Sequence, residues 1–553
     1  MTDVQSIATL RDALADPSAY SHNPDRVVLE QTHISIVAIV PPWVYKVKKP
    51  VDLGFLDFTT LEKRRTFCAE EVRLNRRLCH DTYQGVVPIE QGPDGLRVDP
   101  EEPDGEPIEY AVKMRYLDPS QFLDSKIQRG AGEQADIDRV VDTLCSFYLE
   151  QTSSPQIAEA GWIENLRVSF EENFEQTADH VGSALSRPAY EALQYYTDRF
   201  FDQHASLFHR RRSEGRIVDG HGDLRLEHIH LTDERVCIYD CIEFNDRFRH
   251  LDVANDIAFL AMDLDYMGRS DLAQRLVHSM AAALEDSELC TLIDFYKCYR
   301  AYVRGKVESM RAEEEEVPAR ERSQSRIRAS RYYQWALRYA VAGSAPFVLV
   351  IFGRSGTGKS TQAAALARAL GWSHISSDRV RKTRAGVPLH ERSDEETRSQ
   401  LYTAEMSDLT YNTLKTRALE RASARKGTVL DATYSSRDRR DALRRALRDQ
   451  GVPYAFVELT APDDVLRSRL STRGADAAAA SDARAEDFDM LNARYEPPSA
   501  LEDSRHVRIS TTACQSDTAL SVLRALIRLT NGPAPTDPQT DLGARFANEE
   551  LST

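Results

Sequence analysis

The chain has 553 residues, 41% of them hydrophobic and 29% charged, the balance of a water-soluble globular protein. That length allows about three or four units of ordinary domain size. A formal net charge of −16 argues against a general nucleic-acid coat, which needs clustered Lys and Arg, and leaves only a local basic funnel open. The longest apolar run, "PFVLVIF" at 346–352, is far short of the ~20 residues that cross a bilayer, so no membrane partner is expected. The first residues show neither a basic n-region nor an apolar h-region, and the expectation is a cytoplasmic chain. The eight cysteines have no CxxC pair and no metal-ligand spacing, and reduced thiols are expected.

Residues 1–115 predict a small, strand-rich lobe, with "HISIVAI" and "VYKVKK" as alternating strands and a charged helix from about Thr60 to Leu78. In the second strand Lys46 and Lys48 share a face. In the helix, Glu71 shares a face with Phe67, Leu74 and Leu78. A carboxylate among inward apolar residues suits a Lys–Glu pair beneath a nucleotide. The competing reading leaves Glu71 beside the stripe and the lysines as surface charge.

Residues 116–310 predict helices, interrupted by a loop-and-strand segment at 217–245. There "HGDLRLEH" is followed by "RVCIYDCIEFN", so Asp223 precedes Asp240 at the end of the next strand. In kinase-type phosphotransfer one Asp orients the acceptor hydroxyl and a second holds Mg2+. Two features depart from that pattern. The hairpin "SIVAIVPPWVYKV" has prolines and no glycine loop, and His228 stands where such loops carry Asn. Imidazole is a poor ligand for Mg2+. A single-metal kinase, an outer hydrogen-bonding role for His228, and a domain that binds without transferring all remain open.

An acidic run at 313–316 and an Arg-rich helix to about Ala342 predict a connector over 311–346. From Phe347 strands and helices alternate as in a parallel α/β sheet. "FVLVIFGRSGTGKSTQAAALARAL" reads as strand, glycine loop and helix, filling the G-x-x-x-x-G-K-[ST] template. Gly353, Arg354, Ser355, Gly356, Thr357, Gly358, Lys359, Ser360 and Thr361 are the expected nucleotide-binding residues. Backbone N–H groups and the helix N-terminus would face phosphate, Lys359 would hold the terminal phosphates, and Ser360 would ligate Mg2+. "HISSDRVRK" brings Asp378 to the end of a second strand, and "GTVLDAT" ends a third at Asp431 and Thr433. Asp378 could instead be only a helix N-cap. Arg469 and Arg473, four apart on one helix, suit either a lid over transferred phosphate or a solvated face. A low-complexity insert follows at 475–481, and the tail 534–553 is expected to be disordered.

Residues 347–530 resemble the small P-loop kinases, especially the 5′-kinase module of polynucleotide kinase and its zeta-toxin and gluconate-kinase relatives. That resemblance implies that Asp378 accepts the proton of an acceptor hydroxyl and that Asp431 supports Mg2+ or its water; "DATYSSRDRR" matches a segment presenting arginines. Residues 1–310 resemble the aminoglycoside-phosphotransferase-like kinases. The whole chain is similar to bacterial two-domain proteins commonly labelled bifunctional aminoglycoside phosphotransferase/ATP-binding protein, on "VYKVKKPVDLGFLDFTTLEKRR", "HGDLRLEH", "IYDCIEFNDRFRHLDVANDIAFLAMDLD" and "GRSGTGKST". By that resemblance Asp223 is the catalytic-loop Asp, Asp240 a metal ligand, Lys46 and Glu71 the nucleotide-side pair, and "DVAND" (252–256) a brace, with Asp252 structural. A cationic drug would need an acidic pocket, and the surplus Asp and Glu are spread along the chain, so the drug label is fold-level analogy.

The expected architecture is an α+β protein-kinase-like domain of two lobes at 1–310 (1–115 and 116–310), then an α/β P-loop NTPase domain with a parallel sheet at 347–533. The expected function is transfer of the ATP γ-phosphate, with ATP and Mg2+, to a small-molecule or nucleotide-type hydroxyl at the P-loop site. The N-terminal domain is expected to bind nucleotide or substrate with slow or absent transfer. Two alternatives are a P-loop ATPase switch regulating that domain and a nucleic-acid 5′-hydroxyl kinase, the latter disfavoured by the acidic charge.

Overall fold

Alternation in "SIVAIV" and "WVYKVK" forms two strands joined by the Pro41–Pro42 turn. They belong to a six-stranded antiparallel sheet of β1 (Val28–Gln31), β2 (Ser35–Val40), β3 (Trp43–Lys48), β4 (Tyr83–Gly92), β5 (Gly95–Val98) and β6 (Pro107–Arg115), ordered β1-β2-β3-β6-β4-β5. One face buries Ile36, Ala38, Val40, Tyr45 and Val47. The pleat therefore turns Val44, Lys46 and Lys48 to the other face. The helix Leu61–Asn75 packs there, bringing Cys68 and Val72 against Val112 and Met114. Its start is fixed by Thr60, whose hydroxyl accepts from Lys63 N at 3.2 Å. The computed structural model describes residues 4–93, 95–102, 105–389, 394–474, 485–499 and 504–532. The expected insert at 475–481 and the tail at 534–553 lie outside the described residues.

By their internal contacts the described residues form two compact units, those within 4–167 and 206–297, and those within 168–205 and 298–532. The helix Arg187–Ser213 loses helical geometry at His204, next to the point where the chain passes from one unit to the other. The sequence breaks near 310 and 347 fall within the second unit.

After its helices, the first unit places four short strands in two antiparallel ladders. β7 (Ile217–Asp219) pairs with β10 (His250–Asp252), and β8 (Ile229–Leu231) with β9 (Val236–Ile238). The helix Val253–Tyr266 follows, buried along its whole length and capped by Asp252, which accepts from Ala254 N at 2.8 Å. A disulfide joins Cys79 to Cys237, with Cα atoms 4.6 Å apart. This corrects the expectation that all eight cysteines are reduced thiols. The partners are 158 residues apart in the chain and meet where the segment after the helix Leu61–Asn75 lies along β9, Ile238 N donating to Leu78 O at 3.3 Å, so no sequence spacing marks them.

The second unit contains a wholly parallel sheet, β12-β13-β11-β14-β15, from β11 (Val348–Phe352), β12 (Ser373–Ser376), β13 (Thr428–Asp431), β14 (Tyr454–Thr460) and β15 (His506–Ser510). This is the P-loop NTPase arrangement expected for 347–533. One face packs Val348, Val350, Phe352, Leu430 and Phe456 against the helices Ala404–Ser423 and Arg437–Asp449. The alternate residues Leu349, Ile351, Val429 and Asp431 therefore point to the opposite face. The glycine loop follows central β11, so the C-terminal edge of the sheet is where the functional residues gather. Among the described residues no helix is long and apolar enough to cross a membrane.

Candidate functional site

In the second unit, Gly353, Gly356 and Gly358 have φ of 140, 84 and 82°, and the helix Lys359–Leu370 begins directly after them. Gly353 is dictated by space as well: a Cβ there would lie 2.3 Å from the carbonyl oxygen of Leu459 on β14. Thr357 Oγ1 donates to Arg354 O at 2.8 Å, and Lys359 Nζ donates to the same oxygen at 2.8 Å. The lysine thus lies back over its own loop. Ser355 and Gly356 are half-buried, and Ser360 and Thr361 are exposed on the first helical turn. Arg354 reaches away from the loop, to Asn492 Oδ1 and Asp463 Oδ1, each at 2.7 Å.

Asp431 ends β13 in register with Ile351 of β11 and Ser376 of β12. It is 3% exposed, and its Oδ2 has no hydrogen-bond partner among the described residues. His374 Nε2 lies 3.4 Å from that oxygen. An orphaned buried carboxylate oxygen beside a phosphate loop fits a divalent ion or its water shell, so the donor set with Ser360 suits Mg2+. Asp378 sits in the first turn of the helix Ser377–Ala385, whose cap position is Ser376. Its Oδ1 accepts from Arg381 Nη1 at 3.0 Å, so the side chain pairs with a guanidinium and does not cap.

Arg469 is engaged elsewhere: Nη1 donates to Thr511 Oγ1 at 2.9 Å and Nη2 to Thr511 O at 2.5 Å, beyond the end of β15. The backbone of Arg473 is in the last turn of the same helix, and its side chain lies outside the described residues. Of the arginines in "DATYSSRDRR", Arg440 is buried, donates to Tyr434 O at 2.8 Å and lies over Phe352. It belongs to the core and is not presented to a ligand.

The first unit assembles a second cluster. Glu71, fully buried, receives Lys46 Nζ at 2.9 Å and Lys48 Nζ at 2.7 Å. Lys46 also donates to Asp240 Oδ1 at 2.6 Å, and Lys48 pairs with buried Glu243. Burial opposes charge on Lys46, yet Asp240, Glu71 and Glu243 hold its pKa well above the ordinary lysine value. Burial likewise opposes ionisation of Asp240, and Lys46 and His228 outweigh it, leaving the carboxyl below the usual range. Burial raises the pKa of Glu243, while the two ammoniums lower that of Glu71 against the same penalty. The surface-charge reading of the lysines therefore does not describe them.

His228 stands between the two aspartates. Its Nδ1 lies 2.9 Å from Asp223 O and 3.6 Å from Asp223 Oδ2; its Nε2 lies 3.6 Å from Asp240 Oδ2. The loop is braced by Asp256, whose Oδ2 accepts from His221 N at 2.7 Å and whose Oδ1 accepts from Gly222 N at 3.0 Å. Asp252 serves the buried Arg211, at 2.7 and 2.8 Å. The pattern "DVAND" signalled a brace, but not that Asp256 supplies it. Lys48 and Glu243 carried no sequence signal of pairing, being 195 residues apart. Asn75, whose Oδ1 accepts from Cys241 N at 2.8 Å, had none either.

Comparison with known proteins adds three findings. Residues 348–498 match the AAA_33 family model, an AAA domain. The uncharacterized proteins Rv2004c of Mycobacterium tuberculosis and Mb2027c of Mycobacterium bovis are each 30% identical over 468 residues, covering 84% of this chain and 89% of the relative. Solved structures with a similar part include a gluconokinase from Sinorhizobium meliloti 1021 (23% identity, 34% of this chain and 94% of that one, TM-score 0.25). Another is the Mycobacterium tuberculosis APS kinase CysC in complex with AMPPNP and APS (18% identity, 33% of this chain and 98% of that one, TM-score 0.25).

Proposed function

The chain belongs to the same family as these mycobacterial proteins, and we propose that it is an ATP-dependent phosphotransferase whose second unit moves the γ-phosphate of ATP to a hydroxyl acceptor. One observation carries this reading: the glycine loop, Asp431 and Asp378 all lie at the C-terminal edge of one parallel sheet, just after β11, at the end of β13 and just after β12.

In-line phosphoryl transfer asks for positioning and charge more than for covalent help from the protein. The amides of residues 354–360 and the N-terminus of the helix Lys359–Leu370 cradle the phosphates, and Lys359 swings from Arg354 O onto them. Ser360 and Asp431 are the residues that would hold Mg2+, which when bound neutralises charge on the phosphates. Asp378 orients the acceptor hydroxyl and takes its proton as the oxygen bonds to the γ-phosphorus and the bond to the β–γ bridging oxygen breaks, releasing ADP. Arg381, bonded to Asp378 Oδ1, fixes the carboxylate for that task. Arg469 and Arg473 serve as lid cations only if Arg469 leaves Thr511. In the first unit, Lys46, Glu71 and Asp240 bind nucleotide or substrate, with Asp223 facing the acceptor side.

The test uses the full chain with γ-labelled ATP, Mg2+ and a small-molecule extract. Wild type is expected to label an acceptor, and Asp378→Asn to lower the rate by about 10²–10⁴-fold, the usual range for a lost general base. Lys359→Ala is expected to abolish labelling. ATP hydrolysis that persists in Asp378→Asn, with no labelled product from wild type, would replace this reading by an ATP-driven switch.

A further inference from the structure

Two stretches of the first unit carry the carboxylates that hold Lys46. Glu71 belongs to the helix Leu61–Asn75, and Asp240 follows β9. The Cys79–Cys237 disulfide joins these same stretches, Cys79 lying just beyond Asn75 and Cys237 just before Asp240. We propose that this bond is a redox latch. Closed, it holds Glu71 and Asp240 at the spacing that nucleotide needs; a dithiol reductant opens it and weakens nucleotide binding. The latch rests on the reading that the first unit binds nucleotide.

Besides the disulfide, hydrogen bonds from the backbone of 238–241 fasten the two stretches. Ile238 N donates to Leu78 O at 3.3 Å, Asp240 N to Tyr83 Oη at 3.3 Å, and Cys241 N to Asn75 Oδ1 at 2.8 Å. The first two are at the long end of the normal range. Asp240 itself has φ 63°, uncommon for a residue with a side chain, and such a conformation lasts only where its surroundings impose it. A covalent tie in the strand that leads to it does not exchange with water, as hydrogen bonds do. Opening that tie leaves every ligand-binding residue in the chain but frees Asp240 to relax. Nucleotide must then order the site as it binds, and that cost appears as lost affinity.

The opening step balances in atoms and electrons. Cys79 is buried but directly precedes the exposed His80 and Asp81, so its sulfur is the one a reductant approaches. A thiolate of the dithiol attacks Cys79 Sγ, the bond to Cys237 breaks, and Cys237 leaves as thiolate. Thr82 Oγ1, 3.6 Å from Cys237 Sγ, donates to that leaving sulfur. The reductant's second thiolate displaces Cys79 and closes a disulfide within the reductant. Two electrons and two protons pass to the protein, which ends with two thiols.

By linkage, whatever factor the closed bond adds to ATP affinity, ATP adds to the bond's resistance to reduction. The experiment uses the full chain carrying Lys359→Ala, so that the P-loop does not compete. It is equilibrated in mixtures of reduced and oxidised dithiothreitol, with and without ATP and Mg2+. Alkylation and peptide mass mapping read the Cys79–Cys237 fraction, and titration calorimetry reads the ATP affinity of each form. The oxidised form is expected to bind ATP about tenfold more tightly, within the usual range of coupling between sites. Saturating ATP should shift the midpoint dithiol ratio by the same factor, about 30 mV for this two-electron couple. Neither reading needs a cysteine substitution; Cys237→Ser is expected to bind ATP as the reduced form does. Equal affinities with an unshifted ratio, or tighter binding by the reduced form, would overturn the latch and leave the bond a brace of the fold. A fall in far-ultraviolet circular dichroism on reduction would overturn it too, since binding would then be lost with the fold. No ATP binding by either form would instead overturn the nucleotide-binding reading and the latch with it.

Discussion

At the scale of single residues, Glu71 decides the first unit's charge balance. Two ammoniums, Lys46 and Lys48, lie on one fully buried carboxylate. Removing one partner from such a cluster leaves an uncompensated buried charge, which costs about 3–5 kcal/mol. Glu71→Gln is therefore expected to lower the urea midpoint of the first unit's unfolding, while Arg73→Ala, an exposed pair with Glu70, should shift it by well under about 1 kcal/mol. Equal shifts in the two variants would refute the account of this cluster. Lys46, raised, contributes stability below its unfolded value of 10.5 and loses it only as pH climbs through the folded one. Glu71, lowered, contributes above 4.5 and loses it on acidification, so the pair is silent near neutrality.

His221 is not silent. Its Nδ1 accepts from Asp223 N at 3.3 Å and its Nε2 donates to Tyr239 O at 3.0 Å, which satisfies the neutral ring. Burial lowers its pKa from 6.5, so the unfolded chain binds this proton more readily and stability falls as pH drops through that value. One proton gives at most about 1.4 kcal/mol per pH unit. His221→Asn should flatten the dependence of the urea midpoint between pH 7 and 5 by part of that amount; an unchanged slope would contradict the assignment.

At the scale of elements, strand alternation and strand ends explain what could be read in advance. Lys46 was legible because a strand's period of two puts it opposite Tyr45 and Val47, which fill the core. Asp431 was legible for a different reason, as the residue ending a strand at the edge where open α/β sheets bind ligands, and it does end β13. Arg440 and Arg444 were not. They fall four apart on the inward stripe of Leu443 and Leu447, where polar residues are not expected, and they settle over Phe352 and Phe456. The lid reading of Arg469 met a similar limit, since Thr511 comes to it from a strand end that helix periodicity does not see. The β11–helix junction yields the sharpest test of an element. Gly353→Ala adds a carbon 2.3 Å from Leu459 O at a φ of 140°, so β11 and β14 must part. Strain of that kind costs about 1–3 kcal/mol from backbone alone. The variant should lose ATP binding and lower the second unit's unfolding midpoint; retention of both would mean that the loop does not hold the observed path.

At the scale of the whole molecule, each unit carries its own core and its own cluster of chemistry. The sequence breaks near 310 and 347 mark changes of composition. The contact boundary, by contrast, runs inside the helices Ile163–Thr177, Arg187–Ser213 and Leu289–Arg311. Helical periodicity continues through such a boundary, and only the bend at His204 betrays one of the crossings. Because a ligand stabilises what it binds, Mg2+ with ATP at a hundredfold of its Kd should raise the second unit's stability by about 2.7 kcal/mol in a thermal scan.

The most direct measurement is isothermal titration of ATP with Mg2+ into the full chain and into its Lys359→Ala variant. The account predicts a binding site in the wild-type isotherm that the variant loses, with any ATP site in the first unit retained in both. Identical isotherms, or no heat from the wild-type chain, would contradict it.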